Sequence, residues 1–353
     1  MSFVTLDNIS FVGVSACVPH SVYSNLDYEH VTIEERELFI KTTGIKERRV
    51  AGENISTSDL CYEPAKQLIE KLNWDKDDID VIIMVTQSPD YFIPGSAIIL
   101  QHKLGLKKSC LAFDINLGCS GYIYGLYVLG SLLSSGQLKK GILLAGDKST
   151  MSTSFTDKSA YPLFGDAGSA TALQFDSKAE TMYFNMGSDG SGKDAINIEH
   201  GGSRHGIKKD TFDLIEIEPG ISREKRHLKL DGIGIFNFAL REVSPNVNEL
   251  YKRADEKIED TDFFIFHQAN KLINESVRKK LKITDIFKVP YSLEKYGNTS
   301  SASIPLTMVT ETADDLISKK NRLCLSGFGV GFSWGSALIK TDQIVCLPLI
   351  ELM

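Results

Sequence analysis

The sequence predicts an α/β fold with largely parallel sheets, and three observations lead to this prediction. Short, continuously apolar runs such as residues 80–85 are typical of strands that are covered on both faces. Segments with a helical spacing of apolar residues alternate with these runs along the chain. The alternation recurs in a similar order in both halves of the 353 residues, which suggests an internal duplication.

The predicted elements of the first half begin with an apolar strand over residues 11–18. A helix over residues 34–43 stops at Gly44, since glycine readily adopts the backbone conformation that ends a helix. Residues 57–59 can cap the next helix, and Pro64 would kink its early turns. The remaining predictions are strands at 80–85, 109–113 and 141–145, a helix at 96–104, and a central apolar helix that begins just after Cys119.

The second half continues the same alternation. Its predicted strands are residues 171–175, 182–186, 263–266, 323–326 and 336–340. Its predicted helices are residues 235–254, 272–281 and 303–318. The stretch 187–226 is polar and loop-rich, and residues 195–199 within it resemble a strand more than a helix.

Composition excludes several classes of protein. The chain is 42% hydrophobic and 24% charged, which is typical of a soluble globular protein, and its net charge of −7 argues against a nucleic-acid surface. We identify no signal peptide at residues 1–20. The six cysteines form no CxxC pair, so we expect a cytoplasmic location and neither a zinc site nor disulfides.

The uncharged stretch 115–138 is the most informative part of the sequence. Its length would allow a membrane span, but Asn116, several serines and interior glycines favour a helix buried in a globular core, so we expect no membrane association. Cys119 stands among Gly118, Ser120 and Gly121 where this helix begins. Unpaired N–H groups and the helix dipole favour a thiolate at such a position, which suits a nucleophile. Inert packing of a buried cysteine is the alternative at this point.

Three later motifs are ambiguous when each is taken alone. His267 directly follows a predicted strand, where open α/β sheets place ligand chemistry, although it could equally cap a helix. Asn298 lies in a turn of small polar residues, which is more often an ordinary loop. The glycine-rich stretch 327–335 lacks the spacing of a dinucleotide fingerprint, but its N–H groups could face an oxyanion. Residues 187–194 nearly spell a phosphate loop, yet Asp194 stands where a hydroxyl is needed.

Together and in this order, the motifs are far more specific. Cys119, His267 in His-Gln-Ala-Asn, Asn298 in Gly-Asn-Thr-Ser and the final glycine loop resemble those of β-ketoacyl-[acyl-carrier-protein] synthase III, a condensing enzyme of the thiolase superfamily. The resemblance covers nearly the whole chain and extends to four further motifs, which are residues 44–48, 164–169, 230–232 and 331–336.

The resemblance implies a five-layered αβαβα fold made of two thiolase-like halves, residues 1–176 with the cysteine and residues 177–353 with the histidine and asparagine. It also implies an acyl thioester primer and acyl carrier protein as substrates, no cofactor or metal, and a homodimer. Cys119 would carry the acyl group, while the N–H groups of Cys119 and Val330 would hold the oxyanion. His267 and Asn298 would stabilise the enolate that forms when malonyl thioester loses CO₂.

The His267 and Asn298 pair distinguishes this resemblance from two related activities. A 3-hydroxy-3-methylglutaryl-CoA synthase needs a glutamate base, and chain-extending ketosynthases use two histidines. Two alternatives stay open on the sequence alone. One is a specialised condensing enzyme or acyltransferase of a secondary-metabolite or polysaccharide pathway, and the other is a non-catalytic subunit of a condensing complex, which the intact Cys/His/Asn set disfavours.

The entrance to the site is where this sequence departs from the family. Alignment places Leu38 at a tryptophan, and Thr42 and Met151 at two arginines, which in well-known members hold the coenzyme A of the primer. Ile93 replaces an aromatic residue that in the family reaches the acyl pocket of the partner subunit. Because aromatic and guanidinium stacking is lost, we expect acetyl-CoA to be a poor primer and a different acyl group, for example one on acyl carrier protein, to be preferred.

Overall fold

A computed structural model of the chain describes residues 2–353. The helices of this part are α1 (Ile33–Thr43), α2 (Thr57–Lys71), α3 (Ser96–Lys103), α4 (Gly121–Leu133), α5 (Gly232–Ala254), α6 (Lys271–Lys280), α7 (Leu293–Tyr296), α8 (Ser303–Glu311) and α9 (Ala313–Ser318). The strands of the first half are β1 (Ser2–Leu6), β2 (Ile9–Pro19), β3 (Val22–Ser24), β4 (Glu47–Arg49), β5 (Val81–Val85), β6 (Leu111–Ile115), β7 (Lys140–Asp147) and β8 (Ala167–Phe175). Those of the second half are β9 (Met182–Ser188), β10 (Ile196–Ile198), β11 (Ile215–Glu218), β12 (Ile221–Arg223), β13 (Leu228–Leu230), β14 (Phe263–Phe266), β15 (Lys320–Gly329), β16 (Ser333–Asp342), β17 (Val345–Cys346) and β18 (Ile350–Leu352).

Two large sheets repeat one pattern of strand pairing. The first has the order β17-β2-β8-β7-β5-β6, with β18 also paired to β2, and the second has the order β1-β9-β16-β15-β14. In the first sheet β5 and β7 are parallel, while β7 with β8 and β8 with β2 are antiparallel. In the second sheet β14 and β15 are parallel, while β15 with β16 and β16 with β9 are antiparallel. This repetition supports the internal duplication suggested by the order of the predicted elements.

The helices and sheets form five layers. Helices α4 and α8 lie between the two sheets and contact both of them. Helices α2 and α3 cover the outer face of the first sheet, and α5 covers that of the second, with α6 packed beside it. The αβαβα arrangement implied by the resemblance is therefore confirmed. No helix in residues 2–353 is both long and apolar enough to cross a membrane.

Glycines let the central helix α4 lie directly on the first sheet. A Cβ atom at Gly121 would stand 2.4 Å from a Val85 methyl group, and one at Gly125 would stand 2.7 Å from Leu143. Real Cβ atoms do not approach so closely, so larger residues here would push the helix off the sheet. The close approach determines where the start of α4, and with it Cys119, lies relative to the end of β5.

Several predicted boundaries differ from the observed ones. The helix expected over 303–318 is two helices, because the backbone leaves the helical region at Thr312, whose hydroxyl donates to the Met308 carbonyl at 2.9 Å. Ser56, not residues 57–59, caps α2 by exchanging hydrogen bonds with Asp59. The strand expected at 109–113 is β6, shifted by two residues.

The ends of the chain cross between the two sheets. Strand β1 pairs with β9 in the second sheet, whereas β17 and β18 pair with β2 in the first. The terminal strands thus tie the two halves together. A division of the chain at residue 176 stays a prediction, since these strands lie in the sheet of the opposite half.

Candidate active site

Cys119 lies in a tight turn between β6 and α4. The Gly121 N–H donates to the Gly118 carbonyl at 2.7 Å, and a Cβ atom at Gly118 would come within 2.4 Å of the Gln87 side chain. Only 7% of the cysteine is exposed. The turn therefore holds the sulfur at the start of the buried helix, as the sequence predicted.

The protonation state of Cys119 differs from the sequence-based expectation. Burial, with a smaller contribution from the charge of Asp147, raises the pKa of the Cys119 thiol to about 12. Three hydrogen bonds to the sulfur lower the pKa of the thiol, and they come from the Ser300 side chain and from the backbone N–H groups of Val330 and Cys119. The expectation of a resting thiolate is wrong, because the loss of hydration outweighs the favourable helix start.

His267 stands at the carboxyl end of β14. Its backbone N–H donates to the Ser326 carbonyl at 2.8 Å, and its ring Nδ1 lies 2.7 Å from the Ser303 hydroxyl. The ring also meets the edge of Phe328 in a T-shaped contact. Burial lowers the pKa of the imidazole to about 3, so the ring is neutral at physiological pH. A neutral imidazole offers one N–H donor and one lone pair.

Asn298 is held by the other half of the molecule. Its backbone N–H donates to the Leu163 carbonyl at 2.9 Å, and its backbone carbonyl accepts from the Gly165 N–H at 3.1 Å. The side-chain oxygen accepts from the Ser300 N–H at 2.9 Å, which leaves the amide NH₂ as a donor. Gly297 before it has φ of +67°, where a Cβ atom would also stand 2.8 Å from the Leu163 carbonyl oxygen.

The glycine-rich carboxyl end of β15 passes over the nucleophile. A Cβ atom at Gly329 would lie 2.7 Å from the Cβ atom of Cys119, and one at Gly327 would lie 2.7 Å from the Cys119 carbonyl oxygen. Glycine is needed at both positions so that the backbone can approach. The approach brings the Val330 N–H to the Cys119 sulfur.

One cavity of about 130 Å³ is lined by Cys119, His267, Asn298 and Val330. The four residues that the sequence singled out thus surround the same space. The cavity adjoins further side chains of apolar character, which are Ile196, Ile198, Leu228, Leu230, Ile235 and Ile273. Within residues 2–353, no cluster of His, Cys, Asp and Glu side chains could hold a metal ion.

Part of this apolar wall comes from the polar, loop-rich stretch 187–226 and from the residues just after it. Strands β10 and β13 pair there as an antiparallel ribbon, with Ile196 opposite Leu230 and Ile198 opposite Leu228. These four side chains line the cavity, while Asn197 and Lys229 face a polar groove on the other side. The strand-like residues 195–199 contain β10, whereas β13 was not predicted, because three residues are too few for an alternation of apolar and polar side chains to stand out.

The four predicted entrance residues do not line the cavity. Leu38, Met151 and Ile93 are 63%, 60% and 86% exposed, and Thr42 is exposed as well. Met151 borders a separate depression with Lys148. The cation that lies against α1 is Lys158, whose Nζ is 2.9 Å from Glu35 Oε1, one turn from Leu38. The ion pair between Lys158 and α1 was not predicted from the sequence. An alignment through an irregular loop does not show which of its side chains reaches the helix.

A duplicated five-layer fold with a cysteine at the start of its central helix defines a thiolase-like condensing enzyme. Its sequence matches two family models, described as 3-oxoacyl-[acyl-carrier-protein (ACP)] synthase III over residues 113–190 and the C-terminal part of the same enzyme over residues 251–341. The chain belongs to the β-ketoacyl-[acyl-carrier-protein] synthase III family.

Individual relatives are similar over almost their full length. The Streptococcus mutans serotype c β-ketoacyl-[acyl-carrier-protein] synthase III is 33% identical over 92% of this chain and 96% of its own. An enzyme of the same name from Campylobacter jejuni subsp. jejuni serotype O:2 is 35% identical, over 94% and 97%. The crystal structure of 3-oxoacyl-(acyl-carrier protein) synthase from Burkholderia xenovorans LB400 has a TM-score of 0.93 and 35% identity, and the match covers 99% of both chains.

Proposed function

We propose that this chain condenses an acyl thioester primer with malonyl-[acyl-carrier-protein] and so forms a 3-oxoacyl-[acyl-carrier-protein] and CO₂. The reaction passes through an acyl group on Cys119. The observation that carries this proposal is the single cavity around Cys119, His267, Asn298 and Val330. It supplies a nucleophile, two side-chain donors and backbone N–H groups to one reaction space.

In the first step, the sulfur of Cys119 attacks the carbonyl carbon of the primer thioester. A raised pKa keeps the resting nucleophile protonated, so its proton must leave as the bond forms. The neutral imidazole of His267 has a lone pair that can accept this proton and pass it to the departing thiolate. The products are acyl-Cys119 and the free thiol of the primer's carrier.

In the second step, malonyl thioester loses CO₂ and the electron pair of the broken bond moves to the thioester oxygen. Stabilising this enolate requires hydrogen-bond donors and no base. The NH₂ group of Asn298 is one donor, because its side-chain oxygen is already occupied by the Ser300 N–H. His267 is the other once its ring proton has moved from Nδ1 to Nε2. Nδ1 then accepts from the Ser303 hydroxyl, and the Nε2–H group of the neutral ring donates to the enolate oxygen.

In the third step, the enolate carbon attacks the acyl-Cys119 carbonyl. Negative charge then develops on the former acyl oxygen beside the sulfur. The N–H groups of Cys119 and Val330, which both act on this sulfur in the free protein, are the proposed oxyanion donors. Collapse of the intermediate releases the 3-oxoacyl product, and the thiolate regains a proton from water.

Helix α6 is the proposed docking surface for the carrier protein. It starts directly after Asn270, and both Asn270 and Ile273 line the cavity. Its exposed residues include Lys271, Lys279 and Lys280, an arrangement that suits a partner with an acidic surface. Lys279→Glu should raise KM for malonyl carrier protein while sparing malonyl-CoA. Equal effects on both substrates would argue against this surface.

A second copy of the chain is proposed to bind at strand β6. This strand is the outer edge of the first sheet, and it exposes Leu111 and Phe113. The neighbouring loop exposes Phe92 and Ile93, which do not line the chain's own cavity. Phe113→Asp should weaken the dimer in analytical ultracentrifugation, whereas Phe287→Asp, at another exposed phenylalanine, should not. A monomeric wild type would contradict the proposal.

All six cysteines are free thiols, so we propose that the enzyme works in a reducing compartment such as the cytoplasm. The decisive experiment has two parts. Mass spectrometry after incubation with acyl-CoA should show one acyl group on Cys119, and malonyl carrier protein should then release CO₂ in equal amount to product. A non-catalytic subunit would form no acyl-enzyme and release no CO₂.

A further inference from the structure

Asp147 is a buried carboxylate that the proposed reaction does not use. It ends β7, lines the catalytic cavity and is 2% exposed. Its hydrogen-bond partners are uncharged donors. A buried carboxylate without a cation is costly in free energy, and burial accordingly raises the pKa of Asp147. The contacts of Asp147 show what a neutral side chain at this position could not supply.

The two carboxylate oxygens hold two different loops. Oδ1 accepts from the Gln87 N–H at 2.7 Å, the Thr86 hydroxyl at 3.1 Å and the Ser88 hydroxyl at 3.4 Å. Oδ2 accepts from the N–H and the hydroxyl of Ser301, at 3.1 Å and 2.7 Å. The first loop follows β5 in the first half of the chain, and the second is the loop of Asn298 in the second half.

Both loops reach the catalytic groups. The Gln87 side chain packs against Gly118 in the turn that carries Cys119. Ser301 follows Ser300, whose N–H holds the side-chain oxygen of Asn298. Fixing Ser301 therefore fixes the amide that is proposed to donate to the enolate. The carboxylate therefore connects the loop that packs beside Cys119 with the loop that carries Asn298.

We propose that Asp147 is a positioning residue that holds the loop carrying Asn298 in a fixed position relative to Cys119. The proposal rests on the function proposed above for the same cavity. An asparagine would not replace it, because each oxygen already accepts a backbone N–H. The amide oxygen would stay on the side of Oδ1, where three donors converge, so the NH₂ group would face the N–H of Ser301 and release the loop of Asn298.

A second effect separates Asp147 from an ordinary structural carboxylate. Its negative charge contributes to the raised pKa of Cys119. Among the described residues that line the cavity, the titratable groups facing this thiol are Asp147 and His267, and His267 is neutral. Removing the charge should therefore make the thiol more acidic even as it loosens the Asn298 loop.

The test compares Asp147→Asn with Asp166→Asn. Asp166 is the matched control, since it is also buried and each of its oxygens accepts a backbone N–H, from Thr150 and Ala51. We expect Asp147→Asn to reduce malonyl decarboxylation about 100-fold while acylation of Cys119 falls much less. Alkylation of Cys119 at pH 8 should become faster, because the charge that raises the pKa of the thiol is gone. Asp166→Asn should lower the Tm without changing the ratio of decarboxylation to acylation or the alkylation rate.

Ser301→Ala provides a milder variant if Asp147→Asn does not fold. It removes one hydroxyl donor to Oδ2 and keeps the backbone N–H, so decarboxylation should fall several-fold relative to acylation. The proposal is overturned if decarboxylation and acylation fall together, as in a general loss of structure, or if neither changes. Failure of the proposed function itself would be visible separately, as wild-type protein that forms no acyl-Cys119.

Discussion

The floor of the catalytic cavity and the four predicted entrance residues, which we call the rim, are built in opposite ways. On the floor, Cys119, His267 and Asn298 are all buried, and backbone or side-chain bonds from distant segments hold each of them. On the rim, Leu38 and Met151 are mostly exposed and do not line the cavity. Chemistry that depends on exact geometry is thus kept in a packed framework, while the side chains that the sequence predicts at the entrance lie at the surface, where a substitution disturbs little packing. Substitutions should therefore have large effects on the floor and small ones on the rim.

The largest expected effect is that of Cys119→Ala. Without the sulfur no acyl-enzyme can form, so condensation should fall by about 10⁴-fold or more. Intact-protein mass spectrometry after incubation with acyl-CoA would measure the acyl group directly. Cys110→Ala is the matched control, because Cys110 is a buried free thiol that does not line the cavity. Loss of activity in a folded Cys110→Ala protein would contradict the assignment of Cys119 as the only essential cysteine.

His267→Ala and Asn298→Ala should separate the two halves of the reaction. Each removes a donor to the enolate, so CO₂ release from malonyl carrier protein should fall by about 10²- to 10³-fold. Cys119 should still become acylated, more slowly in His267→Ala, which also lacks the proton acceptor. Stopped assays of acylation and of labelled CO₂ would resolve the two steps. Normal decarboxylation in either variant would show that its assigned role is wrong.

The pH dependence of Cys119 alkylation tests how the floor controls its nucleophile. Only the thiolate reacts, and the pKa is raised to about 12. The thiolate fraction is therefore small at neutral pH and should rise about tenfold per pH unit between pH 7 and 10. Iodoacetamide kinetics on the free enzyme would measure this rise. A rate that levels off near pH 7 would mean a thiolate activated at rest, as the helix start alone would favour.

The smallest expected effect is on the rim. Leu38→Trp would restore an aromatic surface for the adenine of coenzyme A, worth about 1 kcal/mol, or roughly fivefold in kcat/KM for acetyl-CoA. Ile33→Trp is the control, since Ile33 is equally exposed on the same helix one turn and a half away. The wild type should prefer a longer acyl-CoA or an acyl carrier protein over acetyl-CoA. Efficient wild-type use of micromolar acetyl-CoA would contradict this preference.

Local patterns in the sequence were sufficient to predict much of the framework. The apolar run of β5 and the end of α1 at Gly44, with φ of +75°, depend on residues that are neighbours along the chain. Cys119 and His267 were candidates because each stands at a predicted junction between a strand and a helix, but their roles came from the resemblance of the combined motifs to a known family. The break at Thr312 was not predictable, since the residues on both sides of it have helical spacing.

The sequence by itself determined the alternation of strands and helices, the family, and the residues able to do the chemistry, because these depend on residue type and local order. Only the tertiary structure decided that the Cys119 thiol is protonated, that Asp147 joins two loops, that β10 and β13 form a wall of the cavity, and that Lys158 lies against α1. Each of these results depends on groups that are distant in sequence. The pKa of Cys119 depends on the hydration that is lost on burial, and the other three results depend on contacts between distant segments. A short stretch of residues determines neither.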